Sequence, residues 1–482
     1  MSPELIILLS VLGAFVIFVC VLVLRALTYK PHALAEVKPE SVFINKERAV
    51  ETLAELIRCK TVSDRNKENE CEAEFDKFKE ILPKLFPNVF NVCNAEYVGD
   101  RAILVKWSGK SSDSPTVLMS HYDVVSVIEE DWQKPAFEGI TENGVLWGRG
   151  TLDTKGTLNG ILSAAETLIS SGFVPERDIY FAFGGDEEIN GHGANDIVNL
   201  FIERKITPGL VVDEGGAVVD GVFPGVKRPA ALIGIAEKGM INVEYSVKGG
   251  GGHASSPAPH TPVGRLSLAC VKMEKTPFKY KLTKPARLML DTLGRHSTFV
   301  YRLIFANLWC FSPILNLLTR LTGGELNALV RTTTAFTQME GSKGINVIPP
   351  KASMASNHRI LPGETADGTL LRIRKVVDDD KITVSKIDGM DPSVVSDTDC
   401  EAWYRIYAAV SETWTDAIVS PYLMLACSDS RHWGVISDKV YRFSAMSLSK
   451  EQRATIHGND ERIPFDTVAR TVEFYVRLMK KS

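Results

Sequence analysis

Short, uniformly apolar runs alternate with stretches of helical periodicity along most of the chain, the pattern that builds a sheet with helices packed on it. Val50, Leu53, Ala54 and Ile57 recur at helical spacing between Asn45 and Ile57. Leu158, Ile161, Leu162, Ala165, Leu168 and Ile169 mark one face of another helix. Pro115–Met119, Ile179–Phe183 and Leu210–Val212 read as buried strands. From Gly239 the residues INVEYSV alternate, which predicts a strand with one face buried. No internal repeat or low-complexity run appears.

Two apolar stretches stand outside this pattern. Leu5 to Leu24 is uncharged and matches the roughly 20 residues that a helix needs to cross a bilayer. A cleaved signal peptide is the competing reading. Against it, the run exceeds the ~7–15 residues of a signal core, no basic residue precedes it and no A-x-A site follows. The expectation is a single membrane anchor at 5–24 and a linker at 25–41. Glu4 precedes the span and Arg25 and Lys30 follow it, a bias that places the body in the cytoplasm. The lack of an N-x-[ST] sequon agrees. The second stretch, Phe299 to Leu321, is interrupted by Arg302, Asn307 and Pro313, which argues against another span. Two readings of it remain: a helix buried in a lid or dimer core, or a greasy wall that receives a long acyl chain.

Composition adds exclusions. The 482 residues carry a net charge of -4, so no excess of cations exists to displace the counterions of a nucleic acid. The eight cysteines are scattered with no C-x-x-C pair, so neither a disulfide framework nor a cysteine zinc site is suggested. A metal, if held, falls to histidine and carboxylate.

Each strand candidate ends in such residues: SHYDVV after the first, GGDEE after the second, VVDEGG after the third. Ligands of open α/β sheets bind beyond the carboxyl ends of the strands, so three polar clusters at three strand ends describe one site. His121 and Asp123 flank Tyr122, and alternation points both side chains the same way. The carboxylate can then hold the imidazole in one tautomer. Asp153 precedes the second helix, where an N-cap is the ordinary role. Asp186, Glu187 and Glu188 would repel one another unless a cation offsets them. His457 follows much later in TIHGNDE. Two histidines and at least three carboxylates can hold two zinc ions with one carboxylate bridging, leaving a spare glutamate to accept a proton.

The ordered set SHYDVV, WGRGTLDTKG, GGDEE, VVDEGG, GGHASSP, GINVIPP and IHGNDE resembles the aminoacylase and carboxypeptidase branch of di-zinc metallopeptidases, from Val42 to the carboxyl end. The stretches VRTTTAFT, NVIPP, SDSR and YRF are similar to the carboxypeptidase S and N-fatty-acyl-amino-acid synthase/hydrolase groups within it. The resemblance implies that His121 and His457 bind one zinc each, that Asp153 bridges them and that Glu188 is a terminal ligand. It makes Glu187 the general base and Asp123 the group that steers His121. The remaining ligand comes from VVDEGG, with Asp213 favoured slightly over Glu214. His253 would stabilise the oxyanion, Arg359 would clamp a substrate carboxylate in a bidentate way, and Asn346 would add a polar contact.

The implied architecture is an α/β catalytic domain in two segments, 42–238 and 391–482, interrupted by a smaller α/β lid at 239–390 that carries the apolar insertion 299–321. His253 would reach the zinc site only on lid closure, within one chain or across a homodimer. The implied substrate is an N-acyl amino acid, with hydrolysis and condensation both open to the site, or else a short peptide. Membrane lipid is the partner of the anchor. Secreted members of the family argue for the opposite side of the membrane from the charge bias.

Overall fold

The computed structural model describes residues 2–31, 39–221 and 223–482. The linker expected at 25–41 falls only partly within them. Residues 25–28 close the N-terminal helix Pro3–Thr28, and 32–38 lie outside the described residues.

Eight strands form one mixed sheet. Their spatial order is Asn94–Val98, Ala102–Trp107, Arg177–Gly184, Ser111–His121, Leu210–Val219, Val440–Leu448, Ala230–Glu237 and Ile418–Met424. The three buried strands expected from the sequence lie inside its centre. Ser111–His121 runs parallel to both Arg177–Gly184 and Leu210–Val219, and the last runs parallel to Val440–Leu448. The carboxyl ends of the parallel strands therefore open on one edge of the sheet.

Both faces of this sheet are covered, which is why its central strands are apolar throughout rather than alternating. Leu118, Ile179, Phe181 and Phe183 face the larger core, shared with helices Lys46–Ile57, Lys155–Ser170 and Phe465–Met479. Val117, Met119, Tyr180 and Ala182 face the other side, against Ile197 and Phe201 of helix Gly193–Glu203 and against Trp433.

A second sheet lies within 239–390. Its antiparallel order is Thr333–Glu340, Lys351–Ile360, Gly239–Lys248 and Ile382–Met390. Residues along Gly239–Lys248 alternate between buried and half-buried, because helices Pro262–Lys275 and Ala366–Val377 cover one face only. This unit has its own apolar cluster, including Ile241, Val243, Tyr245, Leu266 and Ile373.

Part of 239–390 packs on the large sheet rather than within the small unit. Met289, Leu290, Leu293, Phe305, Leu329 and Val330 are buried in the larger core. The helix Lys284–His296 packs on the edge strand Ile418–Met424. The helical segment between the two parts of the small sheet is thus fastened to the large sheet.

The apolar stretch forms two helices, Phe299–Phe305 and Leu308–Thr322, that meet at 101°. A helix buried in a lid core is not what forms. Phe305, Ala306, Asn307 and Thr319 are buried, but Trp309, Ile314, Leu317, Leu318 and Leu321 are exposed. The bend is held by the N-terminal helix. Arg25 Nε and Nη2 donate to the Ala306 carbonyl at 3.2 and 2.9 Å, and Asn307 Nδ2 donates to the Leu22 carbonyl at 3.0 Å.

Candidate active site

The three strand-end clusters and the HGNDE loop converge. His121 ends its strand, buried, with Nδ1 2.9 Å from the Asp123 carbonyl and Nε2 3.0 Å from Asp153 Oδ1. His457 Nε2 lies 3.1 Å from Asp153 Oδ2 and 3.1 Å from Glu188 Oε2. The two oxygens of Asp153 therefore face the two histidines separately. Asp153 is not the helix cap that its position suggests: Thr154 occupies that place, and the carboxylate is free for the cluster.

Asp123 does more than flank His121. Its carboxylate accepts from Ser63 Oγ at 2.7 Å and from the backbone N–H groups of Glu187 and Glu188 at 3.2 and 3.1 Å. One buried acid thus ties the first strand end to the second and fixes where the two glutamates start. Their neighbour Asp186 is withdrawn from the cluster, accepting from the N–H groups of His192 and Gly193 at the start of helix Gly193–Glu203.

The two acids of VVDEGG take different places. Asp213 is buried and accepts from the Ser430 N–H at 2.8 Å, whereas Glu214 Oε1 lies 3.5 Å from His121 Nε2. The cause is a bulge. Asp213 pairs with Arg442 and Gly216 with Phe443, so Glu214 and Gly215 drop out of the ladder. Gly215 has φ +137, and Gly216 lies so close to the Leu232 carbonyl that a Cβ there would stand 1.7 Å from its oxygen. Glycine is required to let the strand turn its glutamate outward.

Ligand-type atoms of His121, Glu187 and Glu214 lie within 4.8 Å of one another, as do those of His121, Asp153 and Glu188. This donor set fits divalent cations. Burial, then the charge of Asp153, push Glu214 up to about 8. Burial also holds Glu187 well above the usual carboxylate range, with Asp429, Glu214 and Glu188 adding to it. Hydrogen bonds that its ring donates to Asp153 and Glu188 raise His457 to about 10. Neighbouring negative charge adds to each shift, and a metal cation would offset that charge.

The other expected residues sit apart. His253 and Asn346 are exposed, on a small ribbon where His253 pairs with Val347. The Ala254 N–H donates to the Asn346 carbonyl at 3.0 Å, and His253 Nδ1 contacts Ser255 Oγ at 2.7 Å. Arg359 is half-buried on the small sheet, its Nη1 3.2 Å from Cys427 Sγ. Cys427 lines the cavity that opens at the cluster.

Sequence reasoning missed several supporting groups. Glu461 is fully buried and accepts from Arg149 Nη1 at 2.6 Å and from the N–H groups of Leu152 and Asp153 at 2.6 and 3.1 Å. Lys155 is buried, donating to the Cys59 and Leu56 carbonyls, and burial pushes it down to about 8. Asp429 is buried below Gly184, where a Cβ would stand 2.8 Å from its Oδ2. The charged residues just past HGN and in SDSR were visible in the sequence, but nothing there marked their burial.

A mixed α/β sheet with two histidines and four carboxylates gathered at its strand ends defines a hydrolase of the metal-dependent class. The chain belongs to peptidase family M20/M25/M40, whose model matches residues 117–481. It is a metallohydrolase, and members of this family are typically dinuclear metal enzymes. The chain is 36% identical over 438 residues to the carboxypeptidase S-like 2 protein of Dictyostelium discoideum, covering 89% of this chain and 84% of that one. It is 35% identical over 488 residues to the N-fatty-acyl-amino acid synthase/hydrolase of Xenopus tropicalis, covering 98% and 95%. The crystal structure of an M20 family metallo-carboxypeptidase from Sulfolobus solfataricus superposes with a TM-score of 0.66 at 16% identity, over 90% of this chain and 98% of that one. That likeness establishes the fold.

Proposed function

We propose that the chain is a membrane-anchored, zinc-dependent hydrolase of the amide bond in N-(fatty-)acyl amino acids, with the reverse condensation open to the same site. The observation that carries this reading is a cavity of about 450 Å³ that starts at Asp153, Glu187, Glu188, Glu214 and His457 and continues between apolar walls. Met289, Leu326, Leu329 and Leu232 form much of those walls. A short peptide would leave such a space unfilled, whereas an acyl chain fills it. The wall comes from the helices on either side of residues 299–321 rather than from that stretch itself.

His121, Asp153, Glu188, Glu214 and His457 are the residues that would hold two zinc ions, and Asp153 offers one oxygen toward each histidine. Bound there, zinc supplies Lewis-acid polarisation of the carbonyl and lowers the pKa of water. Glu187, facing the cavity, takes the proton of the attacking water on its carboxylate and passes it to the leaving nitrogen. Asp123 keeps His121 oriented through Nδ1. Arg359 receives the substrate carboxylate. His253 and Asn346 meet the developing oxyanion and the polar end of the substrate when the small unit closes, in one chain or across a homodimer. The helix Pro3–Thr28, long and apolar enough to cross a membrane, anchors the enzyme in the bilayer.

Acyl-chain length is the direct test. Each buried CH₂ contributes ~0.8 kcal/mol, about fourfold, so kcat/KM for N-acyl amino acids is expected to climb steadily with chain length until the cavity is full. Leu326→Asp, at a partly exposed position of that wall, should flatten that rise while leaving short-chain substrates nearly untouched. A flat profile in the wild type would sink the acyl reading and favour a carboxypeptidase of short peptides, as one relative's name suggests for that protein.

Arg359 carries its own expectation. Arg359→Ala should impair substrates with a free α-carboxylate far more than their carboxamides, because the amide cannot use the charge-assisted pair. Parallel kinetics on matched acid and amide substrates check it, and equal losses would assign Arg359 a structural role.

A further inference from the structure

We infer that the bent pair Phe299–Phe305 and Leu308–Thr322 forms a membrane-inserted face, lying along the bilayer that the N-terminal helix crosses. The inference rests on the reading of Leu5–Leu24 as a span. What fixes the depth is packing. Phe18 lies six residues before the end of that span, and at about 1.5 Å per residue its ring sits roughly 9 Å inside the hydrocarbon boundary. Trp309 packs edge-on against Phe18, with ring centroids 6.0 Å apart. Whatever depth Phe18 reaches, Trp309 shares.

The contact is not free to swing away. Leu22 and Ala26 are buried against the body, and Arg25 and Asn307 make the bonds that hold the bend. Just beyond, Tyr29 Oη donates to the Asp291 carbonyl at 2.9 Å, and the Arg295 guanidinium lies 4.5 Å over the Tyr29 ring. The end of the anchor is therefore locked to the catalytic body through the elbow between the two helices.

The exposed surface suits a bilayer. Trp309, Ile314, Leu317, Leu318 and Leu321 are each more than half exposed, and the last four share one side of the second helix. Arg320 is the single charge between Trp309 and Leu321, and it turns back toward the Lys275 carbonyl at 3.4 Å. Arg25, Lys30 and Arg295, the last paired with Asp291 at 2.8 Å, gather where the span ends, which puts them at the level of the lipid phosphates. An apolar face with cations at its edge is what an in-plane interfacial helix presents. The helix Gly324–Val330 follows at once and contributes Leu326 and Leu329 to the cavity. A membrane-inserted elbow thus brings the apolar wall of the catalytic cavity to the lipid surface.

The chain carries its own probe. Of its seven tryptophans, Trp309 is 60% exposed, while Trp107, Trp132, Trp403, Trp414 and Trp433 are buried and Trp147 is half-buried. Full-length protein in phosphatidylcholine nanodiscs should lose fluorescence when the lipid acyl chains carry bromine, and Trp309→Phe should abolish most of that loss. Adding Leu317→Trp to Trp309→Phe should restore it, which guards against a local misfold. If the chain resists alkaline carbonate yet bromolipid leaves its emission unchanged, or quenches Trp309→Phe equally, the inference is overturned and the anchor stands. Two unquenched copies per disc would assign the face to a second chain instead. Release by carbonate would overturn the span, and the inference with it.

Discussion

Glu187→Gln is expected to retain both metals and lose nearly all turnover. The substitution is close to isosteric, and the N–H of residue 187 still donates to Asp123, so the loop should keep its place. What disappears is the group able to take a proton from water, a contribution of roughly 10²–10⁴-fold. Elemental analysis beside kcat measurement makes the check. Unchanged turnover would remove Glu187 from the reaction. Loss of metal would turn it into a ligand. Asp153→Ala supplies the contrast: it faces both histidines, so metal content itself should fall.

The sequence made the site's location legible because uniformly apolar strands and the polar residues at their ends are both local signals. His121, Glu187 and Glu188 stood out on that basis, and Asp153 and His457 joined them from two further motifs. Which of Asp213 and Glu214 points toward His121 was not legible. It depends on two residues leaving the ladder opposite Arg442 and Phe443, and strand alternation assumes that no such bulge occurs. Asp186 was likewise indistinguishable from its neighbours, since its role is set by the helix that begins at Gly193. The stretch 299–321 showed its apolarity but not its partner. Its bend is fastened by Arg25 and Leu22, more than 270 residues away in sequence, and nothing local encodes a contact of that range.

Glu461 provides the second large effect. It lies on the same loop as His457 but holds the loop of Asp153, through the N–H groups of Gly150, Leu152 and Asp153 and through the Arg149 guanidinium. Arg149 completes the clasp by donating Nη2 to the Gly458 carbonyl at 2.7 Å. Two loops that each present a metal-facing side chain are thereby joined by one buried ion pair, with both side chains at most 2% exposed. Removing one partner of such a pair typically costs about 3–5 kcal/mol, because the other charge stays buried and unpaired. Glu461→Ala is therefore expected to destabilise the fold by that order, and to weaken metal binding by freeing Asp153 relative to His457. A milder Glu461→Gln should keep the shape, yet its amide turns a donor toward at least one backbone N–H and should still lower metal affinity. Replacing Arg149 and Glu461 together by methionine and leucine should cost less than the sum of the single changes. Denaturant unfolding and metal titration across this double-mutant cycle decide the matter: additive losses, or a Glu461→Ala protein with wild-type stability and metal content, would mean that the two loops find their positions without the clasp.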